Sequence, residues 1–386
     1  MCVVLNSSGF VPKSKATSPL HSDLYVALSN HLRSSLQRQS CLKMSSNTDT
    51  ENMIEQNTHA LFLKNIAKVS VTPKSIKALL KLLQLKGEQI VSPSERAELN
   101  PFLIPLSRNV EDNSLTCYIR WPTQKEDFDL QIVTTTETGI KLLSVGTDQL
   151  CHRMAVELDF FNDPKSKKAI DVLNKEGGPR YVSGDFMPFI KSGKFPTLTA
   201  DDMRLVLDRY LLTKVGAFPD CYERIALNFL NNKNEVSALV TCERAVSIFY
   251  GWGHPVTYHA TMLDKLGRDR EAKDAARAAM GMPAWTIADT KEKLESIAQL
   301  AGFSGTTILG EMHAFRANDP RKDDIGEGLS PIQVTLDQAA HLMDAVSLGY
   351  NSTAESQQTD WNSIRKVLAD KYTESGYPEM GTFILS

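Results

Sequence analysis

Residues 219–286 read PDCYERIALNFLNNKNEVSALVTCERAVSIFYGW followed by GHPVTYHATMLDKLGRDREAKDAARAAMGMPAWT. A shift of 34 residues pairs Ala226 with Ala260, Phe229 with Leu263, Ala238 with Ala272, Cys242 with Ala276 and Ala245 with Ala279. Thirty-four residues is the period of the tetratricopeptide repeat, a helix–turn–helix unit. The physical logic fits the spacing, because antiparallel helices approach closely only where small side chains meet and a larger neighbour fills the groove. First helices are therefore expected around Ala226 and Ala260, and second helices around Ala238–Ala245 and Ala272–Ala279. Gly267 falls at a turn and Pro283 closes the second unit. Lys233 stands where the first unit should have its turn glycine, and the early Trp of the repeat family is missing from both units. An ordinary pair of helical hairpins with coincidental alanines is the competing reading.

Helices flank the repeats. Thr199 and Asp202 form a capping-box pattern ahead of Met203, Leu207 and Leu211, opening a helix over 200–213. A second helix is expected over 287–301, with Thr286 and Asp289 at its start and Gly302 at its end. Further apolar periodicity places helices at 335–348 and 360–373. Upstream, Ile76, Leu79, Leu80 and Leu83 give a helix over 73–86, closed by Gly87, and Ser92–Glu95 reads as a capping box opening another short helix. The period then changes to two: Leu115, Cys117, Ile119 and Trp121 alternate with polar residues, as do Phe128, Leu130 and Ile132, and Ile140–Val145 forms a third run. These predict a small antiparallel meander covered by a helix over 148–161. The fold class is thus α+β: a small antiparallel sheet with helices over 51–180, then a helical part over 181–386 built around two repeat-like units at about 219–286.

The chain has 386 residues, 43 Lys and Arg, 46 Asp and Glu, and a formal net charge of −3. No apolar run approaches the roughly 20 residues that span a bilayer, so no membrane insertion is expected. Residues 1–50 differ from the rest, with eleven Ser, five Lys or Arg and two acids, Asp23 and Asp49. A Ser-rich, acid-poor, basic start is the composition of an organelle transit peptide, and the excess of Ser over Arg favours the chloroplast. The remainder carries 38 basic and 44 acidic residues, which argues against nucleic acid as a partner. Six Cys without a CxxC pair give no zinc or disulfide framework.

Catalytic motifs fail on inspection. Gly251-Trp252-Gly253-His254-Pro255 begins like a dinucleotide fingerprint but carries Pro and follows no strand. Ser192-Gly193-Lys194-Phe195 lacks the hydroxyl a P-loop needs for magnesium. His254 and His259 are five apart and diverge on a helix. No catalytic residue, cofactor or metal is expected. Phe249, Tyr250, Trp252, Tyr258 and Trp285 read first as core; the alternative is a docking surface, since Trp and Tyr are enriched at interface hot spots. Arg268, Arg270, Lys273 and Arg277 give one helix a basic flank, either solvated or facing an acidic partner. The candidate partner-binding residues are accordingly Trp252, Tyr258, Arg268, Arg270, Arg277 and Trp285.

The runs Ser237–Ala245, Leu266–Ala272, Gly251–Pro255 and Met282–Thr286 resemble a plant chloroplast family of ATP synthase assembly factors, some of whose members have been labelled cyclin-delta. The resemblance implies a non-enzymatic stromal factor that binds a protein client, the γ subunit or another subunit of the catalytic head, and it brings no catalytic residues. Two alternatives remain at this point. One is a stromal enzyme with a site between the two halves; the other is an organellar RNA-binding helical repeat protein.

Overall fold

The computed structural model describes residues 58–122, 129–176, 178–191, 199–303, 308, 311–312, 330–348 and 360–386. The transit segment 1–50, Phe128 and nearly all of the 316–331 loop lie outside them. The architecture is α+β, an antiparallel sheet in the N-terminal half followed by a helical half.

Helix α1 (Ile76–Lys86) buries Ile76, Leu79, Leu80 and Leu83 and ends on Gly87 at φ 98°, a left-handed position that glycine takes without a Cβ penalty. Among the described residues the sheet has five strands in sequential antiparallel order: β1 (Gln89–Ile90), β2 (Leu103–Arg108), β3 (Leu115–Ile119), β4 (Gln131–Thr135) and β5 (Ile140–Ser144). The three alternating runs correspond to β3, β4 and β5. The meander is larger than they indicate, because β2 reads LIPLSR with five successive buried residues and no alternation. Its Pro105 has no N–H to donate, and the register slips between Pro105 and Ser107, the kind of irregularity at which a strand accepts proline. The expected helix after Ser92 is instead a turn, closed by Glu95 N–H on Ser92 O at 3.0 Å.

β3 is buried at all five residues, which requires cover on both faces of the sheet. On one side Tyr118 Oη meets Thr147 Oγ1 at 2.8 Å, at the start of α2 (Thr147–Phe160). On the other side the indole of Trp121 packs against Trp252 (5.6 Å, edge-on) and Trp285 (5.1 Å). Helices α3 (Ser166–Lys175) and α4 (Met187–Lys191) follow. α5 (Ala200–Tyr210) carries the Thr199–Asp202 capping box with both reciprocal bonds made.

The repeat segment forms α6 (Pro219–Asn231), α7 (Glu235–Ile248), α8 (Gly253–Lys265) and α9 (Asp269–Met280), so corresponding helices begin at the same 34-residue offset. Ala226, Ala260, Ala238, Ala272, Cys242, Ala276, Ala245 and Ala279 are all buried, Leu263 with them, and Phe229 is half-buried. The turns repeat as well. Lys233 N–H bonds Leu230 O and Asn234 N–H bonds Phe229 O; in the second unit Gly267 N–H bonds Asp264 O and Arg268 N–H bonds Leu263 O, all at 2.9–3.0 Å. Lys233 (φ 58°) and Gly267 (φ 68°) share the left-handed conformation this turn demands. The lysine thus takes the glycine's backbone shape despite its Cβ.

After a 3₁₀ turn at Ala284–Thr286 come α10 (Lys291–Ala301), capped by Thr290, then α11 (Pro331–Ser347), capped by Ser330, α12 (Trp361–Glu374), capped by Asp360, and α13 (Pro378–Leu385). α10 and α11 are displaced by four residues from their expected starts, because Thr290 and Ser330, not Thr286 and the residue before 335, accept the first free N–H.

Candidate functional site

The β4–β5 turn is where distant parts of the chain meet. Thr138 Oγ1 donates to Ala288 O at 2.7 Å, and Ser347 Oγ of α11 donates to Thr138 O at 2.5 Å. Ala284 N–H bonds the buried Asp344 of α11 at 2.7 Å. Gly139 sits directly on the 3₁₀ turn: a Cβ there would lie 2.1 Å from Trp285 O. Gly253 approaches Ile287 in the same way, with a would-be Cβ 2.8 Å from Ile287 Cα. The sheet turn and the second hairpin therefore meet the 284–287 segment backbone against backbone, α11 joins them through the Asp344 and Ser347 side chains, and Phe102, Trp121, Trp252, Trp285 and Tyr372 fill the space around the contact.

A second seam joins α2, α5 and α6 through charge. Arg153 reaches Asp220 with two bonds of 2.5–2.7 Å and Glu157 at 3.0 Å. Arg204 lies 3.3 Å from Glu157, and Arg224 grips the fully buried Asp208 with two bonds of 2.7 Å. Burial alone would raise the Asp220 carboxyl. The hydrogen bonds and charge of Arg153, with Arg224 behind them, outweigh that and hold it well below the usual carboxylate range. Glu157 is lowered likewise, with Arg153, Lys86 and Arg204 overcoming its burial. Arg153, Arg204 and Arg224 balance Asp208, Asp220 and Glu157, with Lys86 at the edge 3.9 Å from Glu157, and such near-cancellation is what lets a buried charged cluster be tolerated.

The six sequence candidates divide between interior and surface. Trp252 and Trp285 are each 2% exposed and bind the repeats to the sheet. Tyr258 is half-buried, donates to Glu223 O at 2.7 Å and lines a cavity of about 10 Å³ beside Cys242. Arg270 and Arg277 are exposed on α9 and Arg268 is exposed just before it; Arg268 is held by Glu271 and Arg277 donates to Ala301 O at 3.2 Å. Cys117, Cys151 and Cys221 are buried thiols pushed up by desolvation, and Cys242 is pushed up to about 12. Such thiols are not nucleophiles. His254 pairs with Glu223 at 2.9 Å, apart from His259, whose pKa burial lowers. Among the described residues no three His, Cys, Asp or Glu side chains come together as metal ligands, and no helix is long and apolar enough to cross a membrane.

One constellation was not anticipated. The loop 98–103, the β4–β5 turn, the end of α11 and the start of α12 enclose a cleft of about 240 Å³. Among the described residues, Glu98 and Glu137 are its charged groups, and Asn100 and Thr136 line it. No spacing rule reaches it, because its walls come from positions more than 200 residues apart; the Thr-rich run 134–138 ahead of Gly139 was its one local signal.

The described residues thus form an α+β scaffold in which paired helical hairpins are locked onto an antiparallel sheet. The chain belongs to the PAB family: residues 57–194 match the model of the PAB N-terminal region, 219–304 that of the PAB middle domain and 311–386 that of the PAB C-terminal domain. It is similar, at 33% identity over 329 residues, to the Arabidopsis thaliana protein named Protein IN CHLOROPLAST ATPASE BIOGENESIS, chloroplastic, covering 85% of this chain and 90% of that one. No solved structure matches the chain.

Proposed function

We propose that this chain is a non-enzymatic assembly factor of the chloroplast ATP synthase, which binds a subunit of the catalytic head before that subunit is incorporated, with the γ subunit as the favoured client. The observation that carries the reading is the 33% identity, sustained over 85% of the chain, to a chloroplastic protein named for ATPase biogenesis. The stroma is the compartment in which that work would be done, and residues 1–50, Ser-rich and poor in acid, would serve as the address. The paired hairpins support the reading in kind. Stacked helical units in the manner of tetratricopeptide repeats present an extended surface to a partner. The exposed Arg268, which precedes α9 and pairs with Glu271, and the exposed Arg270 and Arg277 of α9 would supply cationic groups to an acidic segment of the client. Trp252 and Trp285 would act at one remove, holding the hairpins at a fixed angle to the sheet.

The test is co-elution of the purified chain with isolated α, β and γ subunits of the catalytic head. Retention of γ, weakened by an Arg268→Glu/Arg270→Glu/Arg277→Glu variant of unchanged Tm, is the expected result. Failure to retain any subunit would overturn the reading. Retention of α or β instead of γ would replace the client and leave the role in place.

A further inference from the structure

The outward face of α7 carries apolar side chains that its twin helix does not. Val236, Val240, Glu243, Arg244 and Ser247 are all exposed. Spacings of three and four residues set them along one stripe, opposite the buried Ala238, Cys242 and Ala245. Tyr250 follows in the turn after the helix. Among the described large hydrophobic residues, Tyr250 and Val236 are the two most exposed, at 87% and 74%, and Val240 is 56% exposed. The 34-residue repeat supplies an internal control. The positions on α9 equivalent to Val236, Val240 and Glu243 are Arg270, Asp274 and Arg277, all exposed and all charged. The same helix of the same hairpin thus meets water with charge in one unit and with valine in the other. Its place in the fold does not call for these valines. Aligned on one stripe rather than scattered, they mark a surface that a partner covers.

The charges in the stripe select the occupant. Glu243 and Arg244 are neighbours at its middle, and neither makes a hydrogen bond or an ion pair among the described residues. Glu243 acts on His259 of α8 only through space, and burial lowers the pKa of that imidazole. The two charges sum to zero, so the stripe offers nothing to a partner of one sign. It is instead complementary to itself. Two copies of α7 laid antiparallel, about a two-fold axis between residues 243 and 244, set each Glu243 beside the other copy's Arg244. The same axis sets Val240 opposite Ser247, and Val236 opposite Tyr250 and Gly251, so the most exposed valine meets the most exposed aromatic ring. A parallel arrangement would bring like charges together, Glu243 on Glu243 and Arg244 on Arg244. We infer that α7 is the seam of a homodimer, closed antiparallel through Val236, Val240 and Tyr250 and registered by two reciprocal Glu243–Arg244 pairs. Such an isologous contact uses one patch on both copies. The stripe is about 17 Å long and covers less than the roughly 800 Å² per partner of a standard interface, so the dimer is weak and reversible. The inference does not rest on the client-binding reading.

Sedimentation velocity on the full chain between about 2 and 200 µM tests it, with a Kd of about 10–100 µM expected for the dimer. Glu243→Arg and Arg244→Glu should each weaken association at least about tenfold at unchanged Tm, because each sets like charges face to face at both reciprocal pairs. An equimolar mixture of the two variants should restore it, since their heterodimer has an Arg–Glu pair at both places. Val240→Glu, at an exposed position, should abolish the dimer at unchanged Tm. A monomer at every concentration, a dimer indifferent to the charge reversals or to Val240→Glu, or a mixture that associates no better than its components would each overturn the inference. Co-elution of Val240→Glu with ATP synthase subunits distinguishes the other occupant. If the unmodified chain sediments as a monomer and Val240→Glu loses the client, the stripe belongs to the client and the homodimer falls.

Discussion

Lys233 and Gly267 make the same turn with different chemistry. A left-handed residue with a Cβ costs about 1–2 kcal/mol, and part of that gain is returned when glycine adds freedom to the unfolded chain. Lys233→Gly is therefore expected to stabilise the protein by about 0.5–1 kcal/mol, read as a rise in Tm of about 1–3 °C; an unchanged or lowered Tm would show that the lysine side chain makes a compensating contact. Gly139 is the opposite case. Its would-be Cβ meets the Trp285 backbone at 2.1 Å, an obstacle no rotamer change removes. Gly139→Ala should cost about 3 kcal/mol and, by pushing the turn off Ala288, weaken the bond from Thr138. Urea denaturation of both variants measures these directly.

At the scale of elements, the charged seam between α2, α5 and α6 sets the acid limit of the fold. Asp220 and Glu157 have folded pKa values below their ordinary ones. Their contribution is thus complete above the ordinary carboxylate pKa, about 4, and is lost as the pH falls through the depressed folded values. Stability should drop steeply below about pH 4, and Asp220→Asn should flatten that drop in denaturation curves taken between pH 7 and pH 2.5. Asp208→Asn, which leaves Arg224 short of its buried partner, should cost about 3–5 kcal/mol at pH 7. The elements that carry such seams were unevenly legible. The hairpins could be read because a 34-residue offset repeats small residues on facing helices. β3 could be read from its alternation even though both of its faces are covered. β2 could not, since a strand buried throughout and interrupted by Pro105 has neither period nor strand chemistry. Trp252 and Trp285 read first as core and only second as a docking surface, because aromatic residues serve in both; their packing against Trp121 places them in the interior. The cleft lay beyond reach for a different reason: Glu98, Asn100 and Glu137 are unremarkable one at a time and gain meaning only when α11 and α12 fold back onto the turn.

For the whole molecule, the three family segments are not three independent bodies. Residues 219–304 rest on the sheet through Trp252 and Trp285, and α13 is tied to the N-terminal part by Arg96, which donates to Leu103 O, Pro101 O and Phe383 O. Expressed alone, the middle segment would expose that aromatic face. It is expected to bind a hydrophobic dye and unfold without cooperativity, whereas the full chain should melt in one transition; a soluble, cooperatively folded middle segment would contradict this. The most direct test is complementation of an Arabidopsis line lacking the 33%-identical relative with this chain, followed by quantification of assembled catalytic head on native gels. Restored accumulation of the head is expected from the unmodified chain, and markedly less from the Arg268→Glu/Arg270→Glu/Arg277→Glu variant. Unchanged catalytic-head accumulation in the line without its relative, or no recovery with a stably imported chain, would contradict the assembly role.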